Sequence, residues 1–367
     1  MTLTLYICTR FLKGLLWSFG AILFLVFLID GSDQLNFMSS RNIHISAGIK
    51  STLLRAPSII MDAIPLVIML AGLSTFINLS RASELVVIRS AGRSAIRILF
   101  APIVLTMLIA IFCTTVGNPI VSSSLKYSEG FLQNLGLKPR SFMSVTGQEI
   151  WLREMALNKQ TVIKAGQTNF EGQVLFDLTI FEFDGEDTLT RRISAERGAL
   201  DSGMWVLHDV VIWTLNLDGP IDKAFKIERF KTIQIETTLS RTQIIDSFSD
   251  PKAINFWKLP SFIKKLESSG FTALRHKVFY LSELSRPLFF VAMLLIGASF
   301  ALRPARFGQT GILTVLSVAS GFLLFSIKRV AESLGAAGEI PLVLAAFGPS
   351  ISGVLLAIGL LLHLEDG

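Results

Sequence analysis

The feature that most constrains this chain is the spacing of its apolar runs. Six stretches of about twenty residues lack internal charge clusters, at roughly 11–30, 57–80, 97–118, 279–302, 309–329 and 340–363. About twenty apolar residues suffice to cross a bilayer's hydrocarbon as a helix. A helix also satisfies its own backbone hydrogen bonds there, so each run predicts a membrane helix. Composition agrees, with 51% hydrophobic residues, 17% charged residues and a mean hydropathy of +0.57. The net charge of +6 would point to nucleic acid in a water-soluble chain. Here much of the excess lies in short loops beside apolar runs, where the positive-inside rule accounts for it, and no nucleic-acid partner is expected.

The N-terminal stretch TRFLKGLLWSFGAILFLVFLID has the basic start and apolar core of a signal peptide. Its core is about twenty residues long and no small-x-small cleavage site follows, so it predicts a retained membrane helix. Cys8 and Cys113 lie in or beside apolar stretches, with no disulfide framework or metal spacing. His44, His208, His276 and His363 are scattered, so neither metal nor cofactor is expected.

One long interval breaks the run of apolar segments, roughly 128–265. It is polar, and it alternates in VLFDLTIFEF (174–183), MWVLHDVVIW (204–213) and TIQIETTL (232–239). Period-two patterns rich in Val, Ile, Phe and Trp predict half-buried strands. FDGED (183–187), LDSG (200–203) and LDGP (217–220) supply turns between them. At least six short strands are expected, in a two-sheet sandwich or jelly roll, followed by a connector helix in FWKLPSFIKKLESSG (256–270). The expected fold is therefore six transmembrane α-helices with one all-β domain inserted. Residues 1–127 carry helices 1–3, 128–265 the β domain, and 266–367 the connector and helices 4–6.

Basic residues in short loops set orientation. One face would carry Arg10, Lys13, Arg81, Arg89, Arg93, Arg97, Arg303 and Arg306; the other Arg41, Lys50, Arg55, Lys328 and Arg329. The richer face is expected in the cytoplasm, which puts the β domain outside the inner membrane.

Between the second and third runs lies SRASELVVIRSAGRS (80–94). Ser83 is placed to cap a helix N-terminus, with Glu84 in its first turn, Arg89 near its end and Gly92 where it would stop. The predicted helix, 84–91, is too short to span anything and marginal alone, so something must hold it. Leu85, Ile88 and Arg89 fall on one face, and Glu84, Val87 and Ala91 on another. Either it is a charged turn packed under the membrane, or it docks on a cytoplasmic partner. Docking would use Val87 and Ile88 as apolar anchors and Glu84 and Arg89 as charged contacts. No Gly-Lys dipeptide occurs, so there is no Walker A loop, and no GxSxG or metal motif. The chain is expected to be no enzyme; any work done on it is powered from another chain.

SELVVIRSAG (83–92) resembles the coupling helix of the LptF/LptG permeases of lipopolysaccharide export. The order three spans, β domain, three spans is similar to that family over essentially the whole chain. RPLFFVAMLLIGASFALRPAR (286–306) and IPLVLAAFGPS (340–350) look more like its LptG than its LptF members. The resemblance implies a G/F heterodimer seated on a cytoplasmic LptB-like ATPase dimer. ATP-driven closure would squeeze lipopolysaccharide out of the membrane cavity to the β-jelly rolls, and on to LptC- and LptA-like bridge proteins. It also implies that Glu84 contacts the ATPase, with Leu85, Ile88 and Arg89 beside it.

For the substrate, Asp30, Asp33, Arg41, Lys50, Arg55, Asp62, Lys126, Lys328 and Arg329 cluster at the predicted outer ends of spans. Arg41, Lys126, Lys328 and Arg329 are the candidate partners for lipid phosphates. Equally, these residues could snorkel or pair with neighbouring carboxylates. After Asp33-Gln34-Leu35, where the family would lead one to expect basic residues, stands Asn36-Phe37. Glu283 and Arg286, one turn apart and followed by Pro287, read as a structural pair. Two other classes remain open: a membrane-anchored scaffold, and an ABC-type mechanotransmitter that moves no lipid itself.

Overall fold

A computed structural model describes residues 2–41, 43–90, 94–135, 150–156, 159–168, 174–184, 188–201, 203–215, 225–237, 250–268, 272–302 and 310–365. The chain forms two compact units. One holds Met1–Phe131, Pro251–Leu259 and Leu274–Gly367; the other holds Leu132–Asp250 and Pro260–Ala273.

The first unit is helical. Its elements are α1 (Thr2–Ser39), α2 (Ile45–Arg81), α3 (Glu84–Ser90), α4 (Ala95–Phe112) and, continuing α4 through a π-helical turn at Cys113–Gly117, α5 (Asn118–Asn134). After the β unit comes α6 (Leu259–Ser268), which bridges the two units in sequence. Then follow α7 (Leu274–Ala301), α8 (Thr310–Ala337) and α9 (Leu342–Glu365). Among the described residues, six helical stretches are long and apolar enough to cross a membrane. All but the last are longer than the apolar run that foretold them. At 1.5 Å per residue the 38 residues of α1 reach about 57 Å, well beyond a hydrocarbon core of about 30 Å. The polar ends continue as helix because backbone hydrogen bonding does not stop where hydropathy falls.

α7 is the centre of this unit. Every residue from Phe289 to Ser299 is buried, so it is apolar on all sides, as befits a helix with neighbours all round. Phe289 to Leu302 share a core with Ile68, Met69, Leu73 and Phe76 of α2, Ile98 and Leu99 of α4, Leu324 of α8 and Ala357 of α9. Small residues let the backbones approach. A methyl at Gly72 would stand 2.9 Å from Leu294 Cδ1, and one at Gly297 would run into the Met69 carbonyl. α1 is the opposite case: Leu16, Trp17, Phe24, Leu25, Leu28 and Ile29 all face outward.

The β unit is built on one antiparallel sheet. Its strands are β1 (Ile150–Ala156), β2 (Lys159–Ala165), β3 (Gln167–Thr168), β4 (Val174–Phe183), β5 (Leu189–Asp201), β6 (Met204–Leu215) and β7 (Phe225–Glu236). They run in the order β1-β2-β4-β5-β6-β7, with β3 also pairing with β4. The described strands thus form a meander in a single sheet. β4 spans the predicted 174–183, and the LDSG turn closes β5 on β6, with Asp201 opposite Met204 and Gly203 at φ +82. The FDGED turn lies partly, and LDGP wholly, outside the described residues.

The alternation slips once in each of three strands. Buried residues run Leu175, Leu178, Ile180 in β4, Ile193, Ala195, Gly198 in β5, and Trp205, Leu207, Val210 in β6. The slips line up across the sheet at Asp177, Glu196 and Asp209, and both aspartates have positive φ, +52 and +53. Pairing resumes in the same register beyond each slip, so no strand gains a residue on its neighbour there and the inward-facing set shifts by one position in all three together. At the slip Gly198 lies close under Leu207 and Leu178, with no room for a side chain.

Candidate functional site

Two regions of the helical unit gather the residues singled out in the sequence. The first is α3. Seven residues reach about 11 Å and would fray alone in water. Burial holds the helix down: Leu85 and Ile88 are 3% and 8% exposed, within the same core as Ile7 and Phe11 of α1 and Leu79 of α2. Full burial of such side chains contributes about 1.5–3 kcal/mol each. They are therefore anchors to the chain's own bundle, which corrects the reading of Ile88 as an outward docking residue and of Leu85 as a partner contact. The outward apolar pair is Val86 and Val87, 47% and 66% exposed. Val86 was missed because both faces of this helix carry apolar residues, and sequence alone does not say which face turns in.

Glu84 is held from α1. The Tyr6 hydroxyl donates to Glu84 Oε2 at 2.7 Å, while Arg10 Nε and Nη2 donate to the same hydroxyl at 3.0 and 2.8 Å. Arg10 Nη2 also lies 3.7 Å from Glu84 Oε1. Tyr6 and Arg10, spaced i and i+4 on one helix face, carried the signal for this cluster. Ser83 does not adopt the extended backbone of an N-cap. Its φ is +56, and its carbonyl accepts from Val87 N at 3.3 Å. α4 has the side-chain cap instead, with Ser94 accepting from Arg97 N at 3.4 Å. The Arg89 side chain and Gly92 lie outside the described residues.

The second region is a small, partly open cleft among α2, α7, α8 and the segment Pro251–Ala253. Asp62 Oδ2 receives both Lys252 Nζ at 2.5 Å and Arg329 Nη2 at 3.0 Å. Lys328 Nζ donates to Ser285 Oγ at 3.2 Å, lies 3.4 Å from Glu332 Oε1 and sits over the Phe289 ring. Glu283 and Arg286 form the expected i,i+3 pair, and Glu283 is 2% exposed. Glu283 Oε2, Arg286 Nη1 and Ser282 Oγ are buried without a hydrogen-bond partner among the described residues. Four cations (Lys252, Arg286, Lys328 and Arg329) thus meet three carboxylates (Asp62, Glu283 and Glu332) beside Phe279, Phe290 and Phe325.

The other candidates lie elsewhere. Lys126 is exposed on α5, and Arg41, also exposed, lies over the Phe37 ring at 4.7 Å. Arg55 pairs with Asp30 at 3.7 Å, and Lys50 covers the Phe131 ring. The sequence named Asp62 only as one charge among several. It gave no signal for Lys252, whose partner is remote in the chain. No group of three His, Cys, Asp or Glu side chains poised for a metal ion occurs among the described residues.

Six long apolar helices with an antiparallel β unit inserted after the third define a multi-pass membrane protein. More narrowly, the chain belongs to the LptF/LptG family of lipopolysaccharide export system permeases, whose family model matches residues 5–363. It is similar to the lipopolysaccharide export system permease protein LptG of Escherichia coli K12, 23% identical over 316 residues, 85% of this chain and 84% of that protein. The LptG of Haemophilus influenzae is 22% identical over 369 residues, covering 100% of this chain and 99% of the relative.

Proposed function

We propose that this chain is the LptG-like permease subunit of an ABC transporter that extracts lipopolysaccharide from the bacterial inner membrane and passes it to a periplasmic bridge. An LptB-like ATPase dimer in the cytoplasm supplies the energy, an LptF-like paralogue completes the membrane cavity, and LptC- and LptA-like proteins receive the lipid. Residues 128–265 form a periplasmic β-jelly roll between the halves 1–127 and 266–367. α3 is the coupling helix. Glu84, Val87 and Arg89 contact the ATPase together with Val86, while Leu85 and Ile88 transmit its displacement inward. Lys328 and Arg329 in the cleft, with Lys126 and Arg41 outside it, meet lipid phosphates.

The observation that carries this reading is a seven-residue helix pinned by its buried face and bare on the other, in a chain matched by the permease family from end to end. A short helix held this way moves with the bundle when its free face is pushed. Affinity purification of the tagged chain from its native membrane should recover an ATPase and a paralogous permease, and the mixture should hydrolyse ATP. Glu84→Ala should reduce that recovery and lipid delivery together. A scaffold would bring down no ATPase. A mechanotransmitter that moves no lipid would keep full function after joint neutralisation of Lys126, Lys328 and Arg329.

A further inference from the structure

Among the described residues, the third span departs from regular helix in one place. At Cys113–Gly117 it widens into a π turn, where the Asn118 N–H bonds to the Cys113 carbonyl five residues back. Residue 119 is proline and has no N–H to offer the Thr115 carbonyl four residues earlier. A carbonyl freed within a membrane span needs another donor. The donor found here is the indole of Trp257, whose Nε1–H reaches Thr115 O at 3.3 Å.

Trp257 belongs to the segment through which the chain returns from the β unit, two 3₁₀ turns at Pro251–Ala253 and Phe256–Lys258. This segment is seated by several unlike contacts. The Phe256 N–H donates to Oδ1 of Asn118, itself 3% exposed, at 2.8 Å. The Phe256 ring stacks on Tyr280 of α7 at 5.4 Å, and Lys252 bonds Asp62 of α2. The π turn is fastened to the same helices: Thr114 Oγ1 donates to the Glu283 carbonyl of α7 at 3.4 Å, and Gly117 leaves room only for Met61 of α2. Pro251, Ala253, Ile254 and Phe256 are buried, so the segment is part of the packed unit rather than a loose connector.

We propose that this returning segment is a fixed tie seated on the π turn of the third span, and that Asn118 and Trp257 are positioning residues that keep lipid delivery in step with ATP hydrolysis. Work done on the bundle then reaches the polypeptide leading from the β unit through hydrogen bonds to one irregular turn. The proposal rests on the permease reading above. Neither residue touches the lipid or the ATPase; each acts by holding the tie to the span.

The test uses the full chain, purified with its ATPase and paralogous permease and reconstituted in vesicles, and reads lipid delivered per ATP hydrolysed. Damage to folding alone lowers both rates in proportion and leaves that ratio unchanged. Asn118→Ala and Trp257→Phe should each lower the ratio severalfold while hydrolysis continues, and Asn118→Asp, which keeps the acceptor oxygen, should restore it. Trp257 is 64% exposed, so Trp257→Phe leaves the core intact. A second readout is hydrogen exchange at the Phe256 amide, which should quicken about tenfold or more in Asn118→Ala as the seat opens. A ratio that stays at the wild-type value in the double variant, or an unchanged Phe256 exchange rate, overturns the tie. A wild-type assembly that shows no lipid-dependent hydrolysis overturns the permease reading instead, and the exchange measurement still decides whether the seat exists.

Discussion

Glu84 shows how much a single side chain depends on its neighbours. Its carboxylate is held by Tyr6 and Arg10 of α1, so the one acid of α3 is aimed before any partner arrives. Orientation settled in advance lowers the cost of ordering on binding. The two apolar pairs of α3 then divide stability from recognition. Leu85→Ala should cost about 2–5 kcal/mol and lower the thermal midpoint of the detergent-solubilised chain, because it opens a cavity in the core. Val87→Asp should leave that midpoint nearly unchanged, within about 0.5 kcal/mol, and abolish co-purification of the ATPase. A Val87→Asp chain that still recovered its partner would separate α3 from the interface. The short helix and its acid could be read from residue order. Its inward face could not, because Leu85 and Ile88 alternate with Val86 and Val87 and only the packed bundle distinguishes them.

Elements show the same division between what local chemistry specifies and what tertiary packing decides. The membrane helices were legible because hydrocarbon demands a minimum apolar length, and β4 because its alternation is dense. Their full lengths were not, since hydropathy marks the membrane's edge and not the helix's end. The slips in β4, β5 and β6 also escaped notice, although Leu175-x-x-Leu178 and Leu207-x-x-Val210 break the period of two. Asp177 and Asp209 sit there with left-handed backbone, which short polar side chains tolerate and branched ones do not. Asp177→Gly and Asp209→Gly should therefore be neutral or slightly stabilising. Asp177→Val and Asp209→Val should each cost about 1–3 kcal/mol, read as faster amide exchange in β4–β6 of the intact chain. Equal exchange in the valine and glycine variants would show that the slip does not need those conformations.

At the scale of the molecule, the proposed topology puts the β unit on the side of the membrane opposite α3. Labelling at single cysteines tests it in a background without Cys8 and Cys113. Val87→Cys should react with an impermeant maleimide only when the cytoplasmic face is open, and Met204→Cys of β6 only from the opposite side. Reaction of both from one side would overturn the arrangement. The charged cleft was legible in part. Lys328, Arg329 and Asp62 stood out as charges at span ends, but the meeting of Arg329 and Lys252 on Asp62 joins residues from three distant stretches of chain. Spacing along the sequence carries no trace of that.

The enclosed position of α7 also has a consequence for how the protein is made. Synthesis runs from the N-terminus, so α2 and α4 exist before the helix they pack against. Gly72 waits for Leu294, and Met69 for Gly297, until the ribosome has built every strand of the β unit in between. Until then the inner face of α2 has only lipid or a temporary companion against it. The bundle is an arch whose keystone is delivered late, and a chain that stopped after its β unit would leave α2 and α4 without the helix they pack against.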